Sequence, residues 1–429
     1  MNADDFNPGL LAFLDDSPSP FHAVSALTML LDNAAFSRSD FSHPWPNPES
    51  DKIYLTRNDS SLIAIRQGKG SITDRGVRII GAHTDSPCLK IKPQPDIRRA
   101  GAFQLGVEIY GGALLAPWFD RDLSIAGRIS ARRTDGGRAS LLLDFKRAVA
   151  LIPSLAIHLN RDIHKNRTIN PQEELAPILF NGDEHSLETF RDALLNEARE
   201  QHPNESLGEV TDFELSLYDT HRAARVGLYG DFLVSARLDN LLSCYAAIKA
   251  LMDANTDETI LVICNDHEEV GSTSTAGAQG PFLRQALERL TGDAQALSAA
   301  LSRSVLVSAD NAHAVHPNYE NKHDPQHRPQ LNKGPVIKFN ANQRYATTSS
   351  TAALFRDLCR HAQVPVQSMA MRSDMACGST IGPITSAVIG IDTVDVGAPQ
   401  LGMHSIRETT GWQDPAFLYR ALAAFFESP

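Results

Sequence analysis

The order of apolar and polar residues predicts an α/β domain whose sequence is interrupted by a β-rich region. Apolar residues at helical spacing predict helices over residues 8–15, 21–31, 241–252, 281–290, 294–301, 350–361 and 415–426. Short apolar or β-branched runs predict strands over residues 53–55, 61–66, 77–82, 260–264, 305–309, 336–339, 366–370, 387–391 and 394–396. From about residue 235 onward strands and helices alternate, which is typical of a mostly parallel sheet covered by helices.

The region between these two parts of the chain has a different pattern. Strand-like segments at 107–109, 127–132 and 139–144 are separated by turn residues, and an amphipathic helix is predicted at 186–200. A chain of 429 residues is long for a single hydrophobic core. We therefore predict one α/β domain formed by residues 1–92 and 234–429, with residues 93–233 inserted into it as a separate β-rich domain.

Composition and charge exclude several classes of partner. The formal net charge is −11, which disfavours binding to nucleic acid or to an anionic membrane. No apolar stretch approaches the roughly 18 residues of a membrane span, and the acidic N-terminal segment does not resemble a signal peptide. The five cysteines show no CxxC spacing. We expect a cytoplasmic protein with reduced thiols.

The predicted strand 260–264 runs directly into adjacent acidic residues. It is followed by Asp266, His267, Glu268 and Glu269. The HExxH zinc motif does not apply, because Gly271 stands where its second histidine is required. A pair of adjacent glutamates instead suggests one metal ligand and one general base. For an isolated pair, a solvated acidic turn is the competing interpretation.

Four other segments place a metal-type ligand at the end of a strand or in a turn: His83 and Asp85, Asp239, Asp310, and His404. Without Asp85, these residues and Glu269 give two histidines and three carboxylates, a set that suits zinc, cobalt or manganese. Two nearby ions need a shared carboxylate, and Asp239 is the natural bridge. Asp85 is either a carboxylate that orients His83 or a turn former.

Ten segments, in this order along the chain, resemble those of the aspartyl aminopeptidases, metallopeptidase family M18. They are SPSPFHA, GAHTDSP, LAIHL, RLDN, DHEEVGS, SADNAHAVHPNY, GPVIK, QRYA, CGSTIGP and LGMHSIRE, and they extend from Ser17 to Glu408. One departure affects a substrate loop, where Met375 and Ala376 stand in place of the family's usual Thr-Pro.

The resemblance implies a dinuclear-metallopeptidase α/β/α catalytic domain that removes N-terminal Asp or Glu from short peptides. It implies two Zn²⁺ per subunit, with Co²⁺ or Mn²⁺ as alternatives. One ion would be bound by His83, Asp310 and Asp239, and the other by His404, Glu269 and Asp239. Glu268 would be the general base, and Asp85 would be a catalytic-site carboxylate that orients His83.

The resemblance also implies how the substrate is bound and how subunits assemble. Lys338 would meet the acidic side chain, with Tyr345 and Arg372 contributing and Arg344 as an alternative cation. The inserted domain would form dimers, and these a tetrahedral dodecamer. His158 would then reach the neighbouring subunit's active site. Two other hypotheses stay open, namely a dinuclear aminopeptidase or acyl-amino-acid hydrolase with neutral substrates, and a non-catalytic oligomeric scaffold.

Overall fold

The computed structural model of this protein describes residues 1–42, 51–165, 167–182 and 189–428. These residues form two compact units. The first comprises Met1–Asp85, Ala223–Met403 and Glu408–Pro429, and the second comprises Ser86–Arg222 and His404–Arg407. These bounds differ from the predicted boundaries at residues 93 and 233. The strand that begins at Cys88 belongs to the sheet of the second unit, and the two strands between Ala224 and Ser235 belong to a sheet of the first unit.

In chain order, the described helices are α1 (Ala3–Asp15), α2 (Pro20–Asn33), α3 (Ile72–Arg75), α4 (Pro171–Glu174), α5 (Phe190–Gln201), α6 (Leu238–Asp253), α7 (Phe282–Thr291), α8 (Ala294–Leu301), α9 (Ser349–His361), α10 (Ile381–Ile389) and α11 (Asp414–Glu427). The strands are β1 (Ser37–Arg38), β2 (Lys52–Arg57), β3 (Ser61–Arg66), β4 (Arg78–His83), β5 (Cys88–Arg99), β6 (Ala102–Tyr110), β7 (Leu123–Arg133), β8 (Arg138–Asp144), β9 (Ile178–Asn181), β10 (Leu207–Asp219), β11 (Ala224–Val226), β12 (Phe232–Ser235), β13 (Ile260–Asn265), β14 (Val305–Ala309), β15 (Ala312–His313), β16 (Val336–Phe339), β17 (Gln367–Ala370), β18 (Asp392–Gly397), β19 (Pro399–Leu401) and β20 (Glu408–Gly411).

A nine-stranded sheet forms the centre of the first unit, in the order β1-β2-β3-β13-β4-β14-β18-β16-β17. Strands β13, β4, β14 and β18 are mutually parallel. Side chains along β13 alternate between two apolar clusters. Val262 packs with α1, α6 and α11 on one face, whereas Leu261 packs with α7 and α8 on the other. This α/β/α arrangement confirms the predicted fold class.

The parallel strands bring their carboxyl ends to one edge of the sheet. His83, the last residue of β4, lies in register with Asn265 at the end of β13. Strand β14 runs parallel to β4 on its other side and ends one residue before Asp310. Ligand-binding crevices in open α/β sheets lie at this edge.

A second, smaller sheet in the first unit has the strand order β11-β12-β20-β19-β15. Strands β11 and β12 therefore belong to the first unit, although the sequence pattern places residues 224–233 in the inserted region. Strand β12 pairs with β20 through Ser235 and Glu408. This sheet leads the chain from Ser235 into the start of α6, where Asp239 lies.

The second unit is built on a six-stranded antiparallel sheet in the order β8-β7-β10-β5-β6-β9. Helix α5 contributes Phe190, Leu194 and Ala198 to its apolar core. The helix predicted at 186–200 corresponds to α5, but residues 186–188 lie outside the described residues. The sequence pattern missed β10, whose exposed positions make the segment polar overall.

The predicted strand at 387–391 is wrong. Helix α10 continues to Ile389, and Gly390 ends it with φ +73°, before β18 begins at Asp392. A short apolar run fits a buried strand and a packed helix equally well. None of the described helices combines the length and apolar composition required to cross a membrane.

Candidate metal centre

Three parallel strands and the start of α6 supply the candidate ligands of the first unit. His83 ends β4, Glu268 and Glu269 lie just beyond β13, and Asp310 directly follows β14. His267 adopts the left-handed conformation, φ +63°, and so turns the chain sharply before the two glutamates. Asp239 is the second residue of α6.

His83 lies at the centre of a buried carboxylate cluster. Its Nε2 is 3.4 Å from Asp239 Oδ1 and 3.7 Å from Asp310 Oδ1. Each of these three residues offers a ligand atom within 4.8 Å of the others, and His83, Glu268 and Glu269 form a second such group. The exposed fractions of His83, Asp239 and Asp310 are 1%, 3% and 7%. Water is largely excluded from this cluster.

Asp85 links the two glutamates to the histidine. Its Oδ1 accepts a hydrogen bond from the backbone N–H of Glu268 at 3.1 Å, and its Oδ2 accepts one from Glu269 at 3.1 Å. The same carboxylate lies 3.4 Å from His83 Nδ1. Asp85 is fully buried. A single side chain therefore fixes the backbone beneath both glutamates and contacts the imidazole that faces them.

The charge of the cluster suits a bound cation. Burial raises the pKa of Glu268 to about 8, against the opposing effect of His83 and with support from Asp310. Burial and the neighbouring Asp239 raise the pKa of Glu269. The pKa of His83 is also raised, because the surrounding carboxylates outweigh the effect of its burial. Carboxylates and one imidazole are ligands that zinc, manganese and cobalt accept. The residues present therefore fit a divalent metal.

Lys338 lies beside this cluster and is 2% exposed. Its Nζ is 3.5 Å from Asp310 Oδ2 and 5.4 Å from the centre of the Tyr345 ring. The charges of Lys338 and His83 hold the pKa of Asp310 below its usual value, although burial acts in the opposite direction. Lys338 thus places a buried positive charge at the edge of the carboxylate cluster.

Arg372 lies in a different environment. Its guanidinium is paired with Asp374 at 2.6 and 2.8 Å and is substantially exposed. It lines a cavity of about 270 Å³ together with Met369, Met371 and the histidines at positions 313, 316, 323 and 327. Met369 is in register with Lys338 on the neighbouring strand. Arg344, the alternative cation, is exposed.

His404 and His158 belong to the second unit. His404 adopts φ +67°, and its Nδ1 lies 3.2 Å from the carbonyl oxygen of Gly112. His158 lies in a short 3₁₀ turn, Ile157–Leu159, and is exposed. The turn and the short segment before it expose apolar side chains, with Leu155 and Leu159 exposed by 56% and 75%.

The sequence pattern did not single out three buried polar residues that contact the backbone of a candidate ligand or of the residue beside one. Glu408 accepts a hydrogen bond from the N–H of Asp239 at 2.9 Å. Asn240, which follows Asp239, donates a side-chain hydrogen bond to the carbonyl oxygen of Ala309. Asn311, which follows Asp310, donates one to the carbonyl oxygen of Leu238. Such contacts join residues far apart in sequence, so local patterns give no signal for them.

Known proteins match the chain over almost its full length. The model of the family described as aminopeptidase I zinc metalloprotease (M18) matches residues 13–426. A probable M18 family aminopeptidase 2 of Pseudomonas entomophila (strain L48) is 57% identical over 429 residues, with 99% of each chain covered.

Two solved structures have the same fold. A protein in the cryo-EM structure of the Ape4 and Nbr1 complex is 37% identical with a TM-score of 0.93, covering 99% of this chain and 85% of its own. The S. cerevisiae mApe1 dodecamer is 29% identical with a TM-score of 0.84, covering 99% and 96%.

Proposed function

Because the chain belongs to the M18 family of zinc aminopeptidases, we propose that it uses two metal ions to remove acidic residues from the N termini of short peptides. The observation that carries this proposal is the buried cluster of carboxylates around His83, with the buried cation Lys338 at its edge.

The proposed ligands divide into two sets that share Asp239. His83, Asp310 and Asp239 would hold one ion, and Glu269, His404 and Asp239 the other. His404 is included because the LGMHSIRE segment matches the family. Zinc is the expected metal, and the same ligand types accept cobalt or manganese.

Glu268 is the proposed general base. Two metal ions bound here would acidify a water molecule and polarise the scissile carbonyl group. Glu268 would take the proton from the attacking water and deliver it to the nitrogen of the leaving amine. Asp85 supports this role because it fixes the backbone of Glu268.

Lys338 is the proposed contact for the acidic side chain of the substrate, with Tyr345 beside it. A buried ammonium group attracts a carboxylate strongly, because little water screens the charges. Arg372 is a less direct candidate, since Asp374 already occupies its guanidinium. The 3.5 Å contact between Lys338 and Asp310 favours the alternative of neutral substrates, in which the lysine only balances Asp310.

We also propose a cytoplasmic homo-oligomer built from dimers, in the form of a tetrahedral dodecamer. All five cysteines are free, which suits a reducing compartment. The second unit would form the dimer contact, where the exposed apolar residues around His158 would be covered. A similar protein, the S. cerevisiae mApe1, is itself a dodecamer.

The test combines metal content with a panel of chromogenic Asp, Glu and Leu substrates. We expect the purified protein to contain zinc and to cleave the Asp and Glu substrates faster than the Leu substrate. Lys338→Met, which keeps the apolar stem, should lower kcat/KM for Asp and Glu by about 10²-fold, as for a lost charged contact, and for Leu far less. Equal losses on all three substrates would favour the neutral-substrate hypothesis, and a metal-binding protein that cleaves none would favour the scaffold.

A further inference from the structure

Three neighbouring strands of the small sheet align three buried polar side chains. Glu408 is the first residue of β20, Gln400 lies in β19, and Asn311 immediately precedes β15. Strand β19 pairs with β20 on one side and with β15 on the other. The exposed fractions of the three residues are 2%, 1% and 2%. Polar groups this deeply buried are costly unless they are hydrogen-bonded.

The three side chains are joined by hydrogen bonds. Gln400 donates from Nε2 to Glu408 Oε1 at 3.3 Å, and its Oε1 accepts a hydrogen bond from Asn311 Nδ2 at 2.8 Å. Gln400 therefore uses both ends of its amide between two partners. We call Glu408, Gln400 and Asn311 the polar bridge.

Both ends of the polar bridge hold the same peptide group, the one between Leu238 and Asp239. Glu408 Oε2 accepts the N–H of Asp239 at 2.9 Å, and Asn311 Nδ2 donates to the carbonyl oxygen of Leu238 at 2.8 Å. This peptide group directly precedes the side chain of Asp239. Its donor and its acceptor are both fixed by the bridge.

The polar bridge also reaches the other carboxylate. Asn311 follows Asp310 directly, so the amide that holds Leu238 is attached to the backbone of Asp310. A parallel contact lies on the other side, where Asn240 donates to the carbonyl oxygen of Ala309 at 2.8 Å. Leu238, which precedes Asp239, is thus hydrogen-bonded to Asn311, which follows Asp310. In the same way, Asn240 after Asp239 is hydrogen-bonded to Ala309 before Asp310.

We propose that Glu408, Gln400 and Asn311 are positioning residues that set the separation between Asp239 and Asp310 for metal binding. This inference rests on the proposed function, because it requires both aspartates to be metal ligands. Groups that orient metal ligands through hydrogen bonds typically contribute 10–100-fold to metal affinity. A purely structural role in the small sheet would lower the stability of the protein and leave the metal affinity of the folded protein unchanged.

The test measures zinc affinity of the full-length protein by competition with a chelator, at a temperature well below unfolding. Gln400→Met keeps the length of the side chain and removes both hydrogen bonds of the bridge. We expect it to weaken zinc binding by about 10–100-fold. Glu408→Gln is the second, milder variant, because its amide oxygen still accepts from Asp239 while its NH₂ faces that of Gln400. We expect a smaller loss in the same direction.

Asn7→Ala provides the matched control. Asn7 is fully buried and donates to the carbonyl oxygen of Trp412 at 2.7 Å, in a part of the first unit that supplies none of the proposed ligands. This variant should lower the melting temperature and keep the zinc affinity of the wild-type protein. Wild-type affinity in both Gln400→Met and Glu408→Gln would overturn the polar bridge as a positioning device.

A further variant separates this inference from the proposed function. Asp239→Asn removes a proposed ligand directly. If it leaves zinc affinity unchanged, the proposed metal site itself is wrong. If it weakens zinc binding while the two bridge variants do not, the site stands and the inference fails.

Discussion

The proposed mechanism gives different tasks to two adjacent residues of the same chemical type. Glu268 and Glu269 are consecutive glutamates, and both N–H groups are bonded to the carboxylate of Asp85. A base must keep an oxygen available for a proton, so it cannot be held as tightly as a ligand. Asp85 holds both residues through the main chain, so neither carboxylate is used in that contact. We therefore expect the two glutamates not to be interchangeable.

At the residue scale, Glu268→Gln should separate metal binding from catalysis. Glutamine keeps the size of the side chain but cannot accept and return a proton. We expect wild-type zinc content and a loss of roughly 10²–10⁴-fold in kcat, the usual contribution of a general base. Glu288→Gln, an exposed change on α7, should affect neither quantity. Full activity in Glu268→Gln would remove the basis for its assignment.

At the scale of elements, the sequence predicted those helices and strands whose buried positions follow a local pattern of apolar residues. Strand β13 is buried at every position and is apolar throughout most of its length, so it was predicted correctly. Strand β10 exposes several polar residues and was missed. The strand predicted at 387–391 is wrong because a short apolar run fits a packed helix equally well, and α10 continues to Ile389. At the other end of this helix, Gly382 lies close to the carboxylate of Asp395. A Cβ at position 382 would lie 2.3 Å from Asp395 Oδ1.

Some residues of the candidate site were likewise predicted from the sequence, and others were not. Residues of chemically distinctive types at strand ends, such as His83 and Asp310, were identified because the ends of parallel strands converge. Glu408 and Gln400 were not, because their contacts exist only after the small sheet has formed. Long-range hydrogen bonds of this kind have no periodicity to detect. The sequence thus predicted that His83 and Asp310 lie close together, but it did not predict which residues hold them in place.

Helix α11 offers a test of one such long-range contact. Asp414, its first residue, is fully buried and accepts backbone hydrogen bonds from Asn332 at 2.6 Å and Gly334 at 3.0 Å. Asp414→Asn keeps the shape but turns an NH₂ group toward one of these N–H donors. We expect a loss of about 1–3 kcal/mol in the free energy of unfolding, the cost of leaving a buried donor without its acceptor.

Chemical denaturation of the two proteins at equal zinc concentration measures this loss. Asp357→Asn is the control, since this aspartate is exposed and its ion pair with Arg360 lies on the surface of α9. Its free energy of unfolding should stay within about 0.5 kcal/mol of the wild-type value. Equal stability of Asp414→Asn and the wild-type protein would mean that the contacts of Asp414 contribute nothing net.

At the scale of the whole molecule, the proposed chemistry draws on both units. The first unit has its own apolar clusters around the nine-stranded sheet, and the second has a separate one around its antiparallel sheet. Most proposed ligands belong to the first unit, whereas His404 and His158 belong to the second. His158 lies far in sequence from every proposed ligand, and it is exposed among apolar neighbours. An exposed apolar segment of this kind is typical of an interface.

The last prediction is that His158 acts in the active site of a neighbouring subunit. A hydrogen-bond donor aimed at the developing oxyanion contributes roughly 10²–10³-fold to kcat. His158→Ala should therefore lose activity by about that factor while keeping its zinc, whereas His164→Ala, an exposed change in the same part of the second unit, should not. His158→Ala and Glu268→Ala proteins, each nearly inactive alone, should regain activity when they are assembled together. Some sites would then pair an intact Glu268 with an intact His158 from the other subunit. Co-assembly verified by size and by differential tags, with activity no higher than that of the two parents combined, would show that His158 does not act between subunits.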